Sequence, residues 1–233
     1  MNTTTFPTRS WRGDNSGWPE EALTQGDVRI SGAVINAGVS WHAARDRLGW
    51  TTVALVGRPE RAARTSGVDG VVRACADRCA PPLRTASELA SYLRPWAEEV
   101  EIGVLRIGPH GRLVELLNLS LPTILHWDPH HGLCPYEPLS AGLAQLPRAN
   151  TEMLRMEAGA VLLATTRGLL RHEAGWDELN HFVDGLSVDL FGGLIGDVAP
   201  AELTRLVNSS DVRGEGPAGM VAVGLPPAQA LVA

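Results

Sequence analysis

The chain has 233 residues, 44% of them hydrophobic and 20% charged, ordinary values for a globular protein long enough to bury one sizeable core. Its net charge of −6 and pI near 5.6 leave no basic stripe, so a nucleic-acid partner is not expected. All 20 basic residues are arginine, which excludes a Schiff-base or P-loop lysine and leaves arginine, a helix N-terminus or a metal to hold any phosphate.

Three cysteines, Cys75, Cys79 and Cys134, are an odd, low number that fits a reducing, cytoplasmic setting. Residues 1–26 are polar and lack the apolar centre of a signal peptide. They read as an N-terminal arm, docked through Trp11 and Trp18, ahead of one domain over 27–233. No run reaches 18 apolar residues, so no membrane partner is expected either.

Along the domain, the pattern predicts a short strand at 27–30 and a helix over 36–48, closed by Gly49. TTVALV at 51–56 is a strand by its β-branched apolar run. Residues 58–82 give no clear element. A helix follows over 85–100, with Thr85 and Glu88 as a capping box and Pro95 bending or ending it. Strands are expected at 102–107, 123–127 and 160–164, and helices at 113–119, 139–146, 189–195 and 200–208. This alternation predicts a mostly parallel sheet with helices on both faces.

Three segments carry a resemblance. Ser31-Gly32 followed by Asn36, a helix and LGWTTVALVG is the first. LPTILHWDPHHGL running on to Asn150 and Glu152 is the second, and Asp189-Leu190-Phe191-Gly192-Gly193 is the third. In this order they resemble the ribokinase-like (PfkB) family of small-molecule kinases. The resemblance implies a three-layer α/β domain with a mostly parallel central sheet, its lid and N-terminal strands reduced or missing. It implies ATP and Mg²⁺ as cofactors and a sugar, nucleoside or related hydroxyl compound as substrate. Asp189 would be the general base. Gly32, Asn36 and Asp128 would bind substrate. Asn150, Glu152, Ser187 and Asn208 would bind the nucleotide, with Glu152 at the metal. Gly32, Asn36, Asp128 and Asp189 are expected to converge on one crevice at the carboxyl ends of the strands.

Leu186 and Val188 stand where the family has glycines, and their side chains would crowd a phosphate approaching backbone N–H groups. Weak kinase activity is therefore expected. The alternative is a ribokinase-like scaffold without phosphoryl transfer, serving binding, assembly or another reaction. The missing lid would leave the site open, to be covered by a second copy in a homodimer or by a partner chain.

Two other constellations stand out. His126, Asp128, His130 and His131 have the spacing of a metal site, against the simpler reading of a strand end and polar loop. Cys75, Cys79, Cys134 and His131 would suit zinc, against the simpler reading of buried free thiols.

Overall fold

The computed structural model of the chain describes residues 20–25, 28–34, 38–59, 67–121, 124–128, 130–136, 140–141, 146, 148–169 and 216–225. Among them are the strands β1 (Glu20–Gln25), β2 (Val28–Val34), β3 (Val39–Arg45), β4 (Thr51–Gly57), β5 (Glu101–Ile107) and β6 (Leu113–Leu119). They continue with β7 (Ile124–Asp128), β8 (Gly132–Tyr136), β9 (Ser140–Ala141), β10 (Glu152–Arg155), β11 (Val161–Thr165) and β12 (Gly219–Gly224). Two helices, α1 (Val68–Asp77) and α2 (Pro82–Leu93), lie between β4 and β5.

The strands form two six-stranded sheets. The first has the order β1-β2-β12-β11-β7-β8. The second runs β10-β6-β5-β4-β3, with β9 beside β6. Every described pairing is antiparallel except the two-residue contact of β6 with β9. The sheets face each other. Val53, Leu55, Leu105, Ile107, Val114 and Leu116 of the second pack against Ile30, Leu162, Ala164, Val221 and Val223 of the first. The alternate residues of the second sheet, Ala54, Val56, Ile102, Val104, Leu117 and Leu119, lie under Val72, Ala76, Leu89 and Leu93 of the helices. Each large side chain so buried contributes about 1.5–3 kcal/mol.

The mostly parallel, three-layer ribokinase-like fold is thus not what the chain forms. The physical reason is in the second sheet. It is covered by the first sheet on one face and by helices on the other, so its strands are apolar at successive positions. Continuous apolar runs are also the signature of buried parallel strands, and composition alone does not separate the two cases. Strands do occur at 51–57, 101–107, 124–128 and 161–165. Two expected helices are strands. Residues 39–45 form β3, with Val39 and Ala43 in the inner core. Residues 113–119 form β6, whose Val114 and Leu116 point inward and Leu117 and Leu119 outward. In both, tertiary burial on two faces overrides the helical reading of Ala- and Leu-rich sequence.

Within 139–146, Ser140–Ala141 is strand β9. The unassigned stretch 58–82 contains α1. Helix α2 starts at Pro82, so Thr85 lies inside it, and its hydroxyl donates to the Ala80 carbonyl. Strand β1 falls within the segment read as an arm. The helices expected at 189–195 and 200–208 lie outside the described residues. Among the described residues no helix is long and apolar enough to cross a membrane.

Both ends of α1 are tied to the edge strand β3. Ser40 donates to Asp69. At the other end, His42 Nε2 lies 3.0 Å from Asp77 Oδ1. Burial pushes the His42 imidazole below its usual value, Asp77 opposes this, and Arg73 adds slightly to the lowering. A depressed imidazole favours the neutral ring in the fold. Its contribution is complete above the ordinary histidine value and declines as pH falls through the depressed one. We expect the melting temperature to fall between pH 7 and pH 5, and His42→Gln to flatten that part of the profile in a fluorescence melt series.

Gly32 has a packing role. An added Cβ would lie 2.4 Å from Trp41 Cε2 and 2.7 Å from Cζ2. The indole of β3 therefore occupies the space that glycine leaves in β2 of the opposite sheet. Gly32→Ala is expected to cost about 1–3 kcal/mol through overpacking, measured by urea denaturation.

Candidate functional site

One end of the sandwich gathers buried polar groups from both sheets. On the second sheet, Gly57 of β4 pairs with Glu101 of β5. Both have the inward phase of Leu55 and Leu105. Glu101 is therefore a carboxylate at a core position, with no solvent exposure. On the first sheet, β11 ends and runs into Thr166, Arg167 and Gly168, beside the start of β12.

Arg167 closes the space between the sheets. Its backbone N–H donates to Glu101 Oε2 at 3.0 Å, its Nε donates to Glu101 Oε1, and its NH2 approaches the Glu99 carbonyl at 3.5 Å. Both carboxylate oxygens are thus engaged by one residue, a charge-assisted arrangement. The Thr166 hydroxyl donates to the Pro217 carbonyl at 2.5 Å and accepts from the Gly219 N–H at 2.9 Å. Gly57 has to be small. A Cβ there would lie 3.0 Å from Thr166 Cγ2 and 3.1 Å from Glu101 Oε2. Gly168 is tighter still, with a Cβ 2.5 Å from the Pro217 oxygen.

Arg58, directly after Gly57, is a buried cation. The Arg58 N–H donates to the Gly38 carbonyl, and its guanidinium reaches Ser40 Oγ at 2.5 Å and Asp69 Oδ1 at 3.5 Å. Burial lowers its proton affinity, and Asp69 opposes that shift. Arg58 thus joins the site to the start of α1.

The residues singled out from the sequence that the structure describes, Gly32, Asp128, Asn150 and Glu152, lie on or beside separate elements. Gly32 lies in the interior of β2 under Trp41. Asp128 ends β7 on the far side of the same sheet, where its carboxylate accepts from the backbone N–H groups of His130 at 2.7 Å and His131 at 3.0 Å. Burial opposes ionisation there, but those two bonds and the His131 ring hold Asp128 below the usual carboxylate range. It is a turn residue of the β7–β8 hairpin. Asn150 is exposed, and Glu152 pairs with Leu116 at the edge of the other sheet. Asn36, Ser187, Asp189 and Asn208 lie outside the described residues.

Among the described residues no three His, Cys, Asp or Glu side chains converge as metal ligands. His126 is half-buried, and burial lowers its imidazole despite Asp128. Cys75 and Cys79 are free, buried thiols in the helical layer, raised by that burial and so unreactive. Cys134 of β8 pairs with His126 of β7 in the first sheet.

Sequence reasoning passed over Glu101, Arg167, Arg58 and Thr166. One signal was present. In EIGVLRI the inward phase runs through Leu105 and Gly103 to Glu101, placing a charge at a core position, which is rare without a partner.

No family model matches the sequence, and no curated protein matches it. Solved structures do match, several of them phosphatase domains. The PP2C phosphatase domain of SpoIIE from Bacillus subtilis, with a fragment of its regulatory domain, superposes with a TM-score of 0.62 at 13% identity, covering 85% of this chain. RsbX in complex with magnesium gives 0.53 at 12% identity, covering 88% of this chain and 98% of that one. The catalytic domain of the serine/threonine protein phosphatase PstP, in complex with two manganese ions, gives 0.51 at 10% identity, covering 86% and 99%. The chain spans 64% of the SpoIIE chain, and 60% of the chain with the RsbU and RsbW domains of Rv1364c from Mycobacterium tuberculosis.

The fold is therefore that of PP2C-type phosphatase domains. The ribokinase-like assignment is overturned, and with it the ATP-dependent kinase, its ATP site, and the degenerate ribokinase scaffold offered as the alternative.

Breaking a buried ion pair from one side leaves an uncompensated charge and costs about 3–5 kcal/mol. Arg167 is about a third exposed, so Arg167→Ala is expected near the lower figure, about 3 kcal/mol. Glu101→Gln combined with Arg167→Ala should cost less than Arg167→Ala alone, because the buried charge is then removed together with its counter-ion. Urea titrations of the three variants test this.

Proposed function

We propose that this chain is a PP2C-fold signalling protein that recognises a phosphoprotein partner without hydrolysing it. One observation carries the reading. The buried carboxylate at the sheet end, Glu101, is bonded through both oxygens to Arg167. A guanidinium is the counter-ion of that carboxylate, and it fills the gap where the two sheets meet. The described residues do not fit a divalent ion, since no trio of ligating side chains converges among them. The partner class rests on likeness of fold to protein phosphatases such as PstP, which is analogy of architecture.

A second reading is a Mg²⁺- or Mn²⁺-dependent phosphatase. What favours it is that RsbX and PstP are complexes with magnesium and with manganese. Residues 170–215 also carry nine carboxylates, among them Glu173, Asp177, Asp184, Asp189 and Asp197. Under this reading Glu101 would be a ligand and Arg167 would have to release it. A bound divalent ion supplies an activated water and charge neutralisation to phosphoester cleavage. Glu101 would hold it, and Gly57 would leave room beside the carboxylate.

The assay is hydrolysis of p-nitrophenyl phosphate and of phosphoserine and phosphothreonine peptides at millimolar Mn²⁺ or Mg²⁺. No turnover above buffer is expected, together with a rise in fluorescence anisotropy for phosphorylated over unphosphorylated peptides. Metal-dependent turnover that Glu101→Gln abolishes would overturn this and establish the second reading.

A further inference from the structure

We infer that the start of α1 is the phosphoryl-binding subsite of this chain: Arg58 holds a phosphate monoester there, and Asp69 is an internal carboxylate that the phosphate displaces. The inference rests on the phosphoprotein-binding reading and deepens it.

Without lysine, a phosphate here is met by arginine, by helix N–H groups or by a metal. Arg58 and α1 bring the first two to one place. The Arg58 side chain is 4% exposed. Its NH1 donates to Ser40 Oγ at 2.5 Å. The other edge of the guanidinium is the fork of Nε and NH2, which holds a carboxylate or phosphate through two bonds. That fork is not filled. Nε has no acceptor among the described residues, and NH2 stands 3.5 Å from Asp69 Oδ1, too far for a good hydrogen bond. A buried donor without an acceptor is costly, and an anion with two oxygens at this edge would remove that cost. Asp69 lies in the first turn of α1, so the open fork faces the helix N-terminus. No side chain caps that end, because its N-cap is Gly67, in the left-handed region at φ 103°. Uncapped first-turn N–H groups favour an anion. Room lies beside them, since a Cβ on Gly67 or on Gly70 would meet no described atom within 4 Å.

Asp69 is the anion at this place in the free chain. It accepts from Ser40 and pairs with Arg58, yet its side chain is 72% exposed. Rotating that side chain into solvent uncovers the fork and frees the Ser40 hydroxyl. A phosphate monoester carries a charge of about −1.5 to −2 and three oxygens, against the single charge of a carboxylate. The exchange therefore favours a phosphorylated residue. An unphosphorylated serine or threonine has no charge to offer and leaves Asp69 in place.

Inorganic phosphate would be titrated against the full chain and followed by its ³¹P NMR line width. Labelled phosphoserine and phosphothreonine peptides would be followed by fluorescence anisotropy, and each variant by urea denaturation. Asp69→Asn should tighten both probes about fivefold to tenfold, because a like charge is removed. Arg58→Gln should weaken both by about tenfold or more, since the charged fork is lost. Gly70→Glu sets a carboxylate in the open space of the first turn. It should stabilise the chain, by replacing a helical glycine and by opposing the helix dipole, and yet weaken both probes about tenfold. Gly70→Ala should stabilise the chain and leave binding unchanged.

Phosphate binding by Gly70→Glu as tight as that of the unaltered chain overturns the inference. So does an Asp69→Asn chain that binds phosphate more weakly. Should Arg58→Gln not fold, Gly70→Glu decides, because stability and binding are expected to move in opposite directions there. Phosphopeptide binding that survives Gly70→Glu removes this inference alone and leaves the proposed function standing. Inorganic phosphate that binds and is lost in Gly70→Glu, with no preference for phosphopeptides, upholds the anion subsite and removes the phosphoprotein reading. Neither probe binding to the unaltered chain or to Asp69→Asn overturns both.

Discussion

A carboxylate buried between two sheets cannot be left to water, and the arrangement around Glu101 follows from that. Strand alternation carries the core phase of β5 from Ile107 and Leu105 through Gly103 to Glu101, so the charge points where the next apolar side chain would go. The opposite sheet answers with Arg167, placed one residue beyond the Thr166 that ties β11 to the turn before β12. The pair therefore fixes more than a charge. It lies where the two sheets meet and leaves little room at Gly57, where a Cβ would lie 3.1 Å from the carboxylate. Isolated surface ion pairs contribute little. This one differs because one partner is wholly buried and the two partners belong to different sheets.

Glycine is used in the same way along the interface between the sheets. Gly32 accommodates the Trp41 indole, Gly103 the Leu121 side chain, and Gly219 the Val39 side chain. In each case a small residue on one strand receives a large one from elsewhere in the sandwich. This is how a tightly packed core keeps its two layers close. A glycine beside serine in a strand reads readily as a turn or a substrate contact. At Gly32 the reason is the ring above it.

The sequence made the strands at 51–57, 101–107, 124–128 and 161–165 legible, because short β-branched runs bounded by breakers have few other readings. It did not disclose their direction. Antiparallel strands exposed on one face alternate visibly, but here β4, β5 and β6 are covered on both faces and the alternation disappears. The same loss of period hid β3 and β6, whose Ala and Leu content suits a helix. The candidate site was less legible. Glu101 and Arg167 are 66 positions apart and meet only because β5 begins where β11 ends, at the same edge of the sandwich. No local motif marks that meeting. The histidines around Asp128 looked more like chemistry and prove to surround a hairpin turn.

The two sheets differ in how their strands are drawn from the chain. The second sheet is assembled largely from neighbours in sequence, β3 with β4 and β5 with β6. The first needs β2 beside β12, which joins Val34 to Gly219 across 185 positions. A ribosome delivers these pieces in order. The sheet made of neighbours can close its hairpins while synthesis continues, whereas the other must wait with β2 unpaired on one side until β12 arrives. Contacts of such separation are slow to form, and an exposed strand is open to wrong pairings during the delay. The helical layer covers the sheet that forms first, so the period of vulnerability falls on β2 and its partners, and folding yield should depend on how quickly the rest of the chain follows.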